Sequence, residues 1–96
     1  MAEDSCRIDL WLWRARFFKT RGLAAQMVQA GRIRRGRDGL ETRFDKASRH
    51  VRVGDELVFA VAGRLTAVKI VALGERRGPP VEATRLYEVI ADLASP

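Results

Sequence analysis

The chain has 96 residues, 18 Lys and Arg against 12 Asp and Glu, a formal charge of +6 and a hydrophobic share of 47%. That is enough for one small domain and argues against wholesale disorder. The longest uncharged run, Gly22 to Gly31, falls short of the ~20 apolar residues a spanning helix needs, and the acidic Met1-Ala2-Glu3-Asp4-Ser5 lacks a secretory layout.

The first apolar pattern spans Ile8 to Phe18 and predicts a helix. Ile8, Trp11, Leu12, Ala15 and Phe18 recur at helical spacing, with Leu10, Trp13 and Phe17 on the other side. Apolar stripes on both faces predict a helix sandwiched between other elements. Thr20 then offers an N-cap to a second helix running to about Ala30, closed by Gly31. Only Lys19, Thr20 and Arg21 separate the two, which predicts a tight helix–turn–helix pair.

After Gly31 the period changes to two. Arg32-Ile33-Arg34 alternates, Gly36 and Gly39 mark turns, and Arg49-His50-Val51-Arg52-Val53 alternates again before Gly54-Asp55. Leu57 to Val61 and Leu65 to Val71 read as a hairpin about Ala62-Gly63-Arg64. Gly78-Pro79-Pro80 breaks regular structure, and Ala83, Leu86, Tyr87 and Ile90 form the stripe of a short last helix. The expected fold is α+β: an N-terminal helix–turn–helix pair packed on a small antiparallel β-sheet, with a short C-terminal helix. Residues 1–6 are expected to form an acidic tail and 7–96 a single domain, its helix pair and first strands in 7–54 and its hairpin and last helix in 55–93.

The charge is unevenly placed. Arg7 to Arg52 holds 13 basic and 4 acidic residues, a balance of +9, whereas Val53 to the end balances at −1. Fifteen of the 18 cations are Arg, whose planar fork suits phosphate and stacks on bases. A concentrated positive field beside a neutral remainder is the footprint of a polyanion binder. At the helix–helix turn, Lys19 and Arg21 accompany the N-terminus of the second helix, a natural phosphate site, and Gln26 can add polar contacts further along. Trp11 and Trp13 sit on apolar stripes and are assigned to packing, with Trp13 the one open to some exposure.

Catalysis finds little support. His50 is the only histidine and Cys6 the only cysteine; they are distant in sequence, and no Cys/His cluster has zinc spacing. Gly36-Arg37-Asp38-Gly39 is followed by no Lys-Ser/Thr, so it is not a P-loop. Asp9 suits the first turn of a helix and Asp55 a turn. We therefore expect a non-enzyme without cofactor or metal. A lone cysteine, which can close no internal disulfide, fits the cytoplasm. With no large exposed apolar stripe evident, a monomer is expected.

Several segments together resemble a known family. Arg7-Ile8-Asp9-Leu10-Trp11-Leu12-Trp13, Arg16-Phe17-Phe18-Lys19-Thr20-Arg21, Ala24-Ala25 and Gly31-Arg32-Ile33 are similar to the RNA-binding domain of the ribosomal-protein-S-four type. Lys46-Ala47-Ser48, Val51 and Gly54-Asp55 look like its closing strand and turn. Arg76-Arg77 with Leu86-Tyr87-Glu88 resembles a ribosome-associated heat-shock group within it. The resemblance implies that the helix pair and a following β element form one RNA-binding surface. It further implies binding to rRNA of the large ribosomal subunit, with tRNA a further candidate partner, in rescue or recycling of stalled subunits carrying a nascent chain. Carried over, the RNA-facing set is Arg7, Lys19, Thr20, Arg21, Gln26, Arg32, Arg34 and Lys46. Other cations of the basic segment, Arg14, Arg16, Arg35, Arg37 and Arg52, are secondary candidates. The family's Val-Asn-Gly after the first strand is Arg34-Arg35-Gly36 here, so that turn is expected to differ. The alternatives are a general structured-RNA, tRNA or duplex-DNA module, and an accessory subunit of an RNA-modifying enzyme.

Overall fold

A computed structural model describes residues 4–61 and 63–92. Strand β1 (Ser5–Arg7) leads directly into α1 (Ile8–Arg14), followed by α2 (Arg21–Gln29), β2 (Arg34–Arg37), β3 (Leu40–Arg43) and β4 (His50–Arg52). Then come β5 (Glu56–Val61), β6 (Arg64–Ile70), the single-turn helix α3 (Pro80–Ala83), a 3-10 turn at Thr84–Leu86 and β7 (Tyr87–Asp92). The strands form two antiparallel sheets, a β1–β4 ribbon and a five-stranded sheet ordered β3-β2-β5-β6-β7.

The core lies between one face of the larger sheet and the helix pair. Ile8, Trp11 and Leu12 of α1 and Ala24 and Val28 of α2 pack with Ile33, Val51, Leu57, Phe59, Val68 and Ile70. Trp11 is fully buried and its indole N–H donates to the Ala72 carbonyl at 2.9 Å, satisfying the polar end of a large apolar ring. Trp13 is half-buried, with the Arg77 guanidinium 5.7 Å above its ring.

The first helix is shorter than its periodicity predicts. It caps at Ala15, and Arg16 takes the left-handed conformation (φ 64°), so the Phe17 N–H turns back to the Leu12 carbonyl. Phe17 then packs edge-on against Phe59, centroids 5.0 Å apart, and against Tyr87 at 4.5 Å. An apolar residue one turn further along a helix and one in a loop folded onto the same core leave the same sequence signature. The link between the helices consequently spans residues 15–20 instead of three residues. The second helix forms as expected: the Thr20 hydroxyl accepts from the Leu23 N–H at 3.1 Å, and Gly31 (φ 73°) follows its end.

Three further expectations are corrected. Gly36 lies inside β2, opposite Glu41 and Glu56, and the turn is Asp38-Gly39. Both turn residues have positive φ, 52° and 81°, as a two-residue type I′ hairpin requires. Ser5 and Cys6, assigned to an acidic tail, are strand residues paired with Arg52 and Val51. The last helix stops at Ala83 and its 3-10 extension at Leu86, and Tyr87–Asp92 is an edge strand on β6. Ala83 and Leu86 are buried as the stripe predicts, but beyond them the unpaired backbone of β6 offers a ladder that favours an extended chain. Residue 62 and the end of the stretch reaching residue 93 lie outside the described residues.

Between β6 and α3, residues 71–79 cross α1 as a strap. Besides the Trp11 bond, Arg14 donates to the Gly74 carbonyl (3.0 Å), Arg16 to Gly78 (2.7 Å), and Arg77 back to the Trp13 carbonyl (3.1 Å).

Candidate nucleic-acid interface

The cations of the N-terminal half are sorted by a buried carboxylate. Asp9 sits in the first turn of α1 and is 3% exposed. Its two oxygens accept from Arg7 Nε and Nη2 at 3.1 and 2.9 Å, and one also accepts from the Leu10 N–H. Arg21, the first residue of α2, approaches the same carboxylate with Nε 3.5 Å away. Both guanidiniums keep more than 40% of their side-chain surface in water. Asp9 thus grips two arginines by their inner edges and leaves their outer N–H groups free for a phosphate. The Ile8 and Asp9 amides donate to the Arg49 and Ala47 carbonyls, which brings the loop carrying exposed Lys46 alongside.

The β1–β4 ribbon extends this surface. Its register places Arg7 opposite His50 and Ser5 opposite Arg52, so these four share one face while Cys6 and Val51 turn to the other. Arg35 donates to the His50 carbonyl and lies 5.2 Å from the Phe44 ring centre. Burial, then the positive fields of Arg37, Arg52 and Arg49, hold its guanidinium below the usual value. Burial is the larger cause, and the neighbouring arginines add to it. Arg49 also holds Asp45 far below the usual carboxylate range through two short hydrogen bonds. Arg49 was not singled out from sequence, although the strand pattern containing it was recognised and it falls within the +9 segment.

Of the residues expected to face RNA, the fold brings Arg7, Thr20, Arg21 and Lys46 together, with Lys19 on the adjoining link. The secondary candidates Arg35 and Arg52 join them. Gln26 is exposed on α2, on the side away from its buried Ala24 and Val28. Arg32 lies just beyond the far end of the same helix, whose nine residues from Arg21 to Gln29 rise roughly 13 Å at 1.5 Å per residue. Arg34 faces the outer side of the large sheet, opposite Val58, and pairs with Glu41 at 2.9 Å. Arg32 and Arg34 therefore form a separate group beside a shallow groove with Leu65. Arg14 is occupied by the strap, which also takes the Nε of Arg16. Arg37 is held in two bonds, 2.7 and 2.6 Å, by Asp55, itself 2% exposed. Burial opposes ionisation of Asp55, but Arg37 and the Arg52 N–H outweigh it and leave its carboxyl below the usual range.

No cysteine–histidine nucleophile is assembled. Cys6 and His50 occupy neighbouring strands yet turn to opposite faces of the ribbon, and His50 Nδ1 lies 2.7 Å from the Ser5 hydroxyl. Burial pushes the Cys6 thiol up, away from a reactive thiolate. Among the described residues no helix is long and apolar enough to cross a membrane.

Comparison with known proteins places this arrangement. The S4 domain model matches residues 6–36, which covers both helices and most of β1 and β2. The solved structure of Vibrio cholerae Heat Shock Protein 15, described as trimeric, superposes with a TM-score of 0.78 at 32% identity, over 91% of this chain and 83% of that one. The chain belongs to the heat shock protein 15 family. The Haemophilus influenzae heat shock protein 15 homolog is 36% identical over 88 residues, and heat shock protein 15 of Escherichia coli K12 is 35% identical over 86. These alignments cover 92% and 90% of this chain but 63% and 61% of those proteins, so the chain spans about three-fifths of their length. The trimeric description of that solved structure stands against the expectation of a monomer, and edge strand β7 here carries exposed Val89 and Ile90.

Proposed function

We propose that this protein binds RNA through the face bearing Arg7, Lys19, Thr20, Arg21 and Lys46, extended by Arg35, Arg49 and Arg52. On this reading its target is rRNA of the large ribosomal subunit, with tRNA a further partner. It acts without catalysis, in the cytoplasm, on stalled subunits that still carry a nascent chain. Residues 7–96 work as one unit of the S4 type.

The observation that carries this reading is the Asp9 grip on Arg7 and Arg21 at the start of α2. A solvated surface gains little from burying a carboxylate merely to aim two cations outward, whereas phosphate recognition needs such aim. The names of the relatives supply the heat-shock context, and the family resemblance supplies the ribosomal target.

The test compares wild type with Arg21→Ala against a large-subunit rRNA fragment, tRNA and duplex DNA. The variant binds the rRNA fragment more weakly, and the slope of log affinity against log salt falls by about 0.7–0.9 for the phosphate contact removed. Sedimentation of a lysate finds the protein with free large subunits. Equal wild-type affinity for all three nucleic acids would reduce the reading to nonspecific electrostatics.

A further inference from the structure

A cleft of about 580 Å³ opens where the link between the helices meets α3 and the start of β7. Its floor includes the half-buried rings of Phe17 and Tyr87, 4.5 Å apart at their centres. Its rim carries Arg16, Lys19 and Arg77, and no acid is among the described residues lining it. Arg16 and Arg77 bond backbone carbonyls through Nε, so their terminal nitrogens stay available, and Lys19 has no partner among the described residues. The cleft is of the size that small-ligand sites occupy.

We propose that this cleft receives a single unpaired nucleotide of the bound RNA. The base stacks on Tyr87, with the Phe17 ring, tilted 48° from it, closing the floor alongside, and its flanking phosphates lie against Lys19, Arg16 and Arg77. The inference rests on the RNA-binding reading above, and two observations select this occupant. Aromatic rings at the base of an all-cationic rim match the two halves of a nucleotide, a flat base and an anionic backbone. The site is also continuous in sequence with the interface, since Lys19 is two residues before Arg21. A duplex phosphate backbone laid on Arg7 and Arg21 would thus meet, on the other side of the link, a place for a residue that has left its stack. The Arg16 turn gains a role in this arrangement: its left-handed backbone swings Phe17 out of the helix and onto the cleft floor.

The test uses two blunt RNA duplexes of one sequence, one carrying a bulged 2-aminopurine and the other fully paired. Wild type binds the bulged duplex roughly tenfold more tightly, as one base stacked on an aromatic ring allows, and 2-aminopurine fluorescence changes on binding. Tyr87→Ala removes the platform, and Thr84→Glu places a negative charge on the rim through an exposed side chain outside the core. Each brings the affinity ratio to about one while the paired duplex remains bound. Far-ultraviolet circular dichroism verifies that both variants are folded, and Thr84→Glu carries the test should Tyr87→Ala unfold. A wild-type ratio of one, or a preference that survives Thr84→Glu, overturns the cleft and leaves the RNA-binding reading standing. Failure of wild type to bind either duplex overturns both.

Discussion

Replacing Asp9 by Asn separates aimed recognition from bulk charge by the sign of the result. The substitution removes one negative charge, taking the formal charge from +6 to +7. Were binding a matter of net field alone, affinity would rise. In the structure, however, the carboxylate holds Arg7 by two bonds and Arg21 at 3.5 Å, and a neutral amide cannot keep two guanidiniums in that position. Charge-assisted bonds contribute about 1.5–3 kcal/mol each, and with both arginines over 40% exposed the lower part of that range applies. A loss of about 1–2 kcal/mol in aiming corresponds to roughly five- to thirty-fold weaker binding. Asn still accepts from the Leu10 N–H, so the stability cost stays near 1–2 kcal/mol, and a domain of this size should remain folded at 25 °C. Fluorescence polarisation with a labelled rRNA fragment across a potassium chloride series, paired with thermal melts, measures both quantities. Binding by folded Asp9→Asn that equals or exceeds wild type would refute the role given to Asp9.

Two further outcomes concern the scaffold. Asp55 has a carboxyl held below its usual value, so its contribution is present above an unfolded pKa of about 4 and is lost as pH falls through the lower folded value. Asp55→Ala removes that acid-dependent part and costs about 3 kcal/mol, near the lower end for a broken buried pair because Arg37 is partly hydrated; urea titrations from pH 7 to pH 3 measure it. Thr20→Ala removes the cap on the Leu23 amide and costs about 1 kcal/mol, visible as a shifted urea midpoint at unchanged slope.

The sequence was most readable where one force acts locally. Thr20 and Gly31 mark the ends of α2 because capping is settled within a few residues, and the alternation at His50–Arg52 marks a strand by its side-chain period. It was least readable where distant partners decide. Nothing near Phe17 says that Phe59 and Tyr87 will draw it out of a helix, and nothing in Tyr87-Glu88-Val89-Ile90 says that β6 will present an open edge. The interface followed the same division. Arg7, Lys19, Arg21 and Lys46 came from motif and charge, but separating them from Arg14, Arg16 and Arg37 requires knowing which carbonyls and carboxylates lie opposite. Asp9 appeared only as a favourable first-turn acid, because its grip on Arg21 crosses from one helix to the next.

The strap also imposes an order on biosynthesis. Helix α1 leaves the ribosome early, yet the groups that satisfy Trp11, Arg14, Arg16 and the Trp13 carbonyl are 61, 60, 62 and 64 positions downstream. At 5–20 residues per second, roughly 3–12 s separate the appearance of that helix from that of its fastenings. The seating of α1 in the fold is therefore completed late in translation, and a chain cut short before Ala72 would carry the Asp9 grip on Arg7 and Arg21 on a helix not yet fastened.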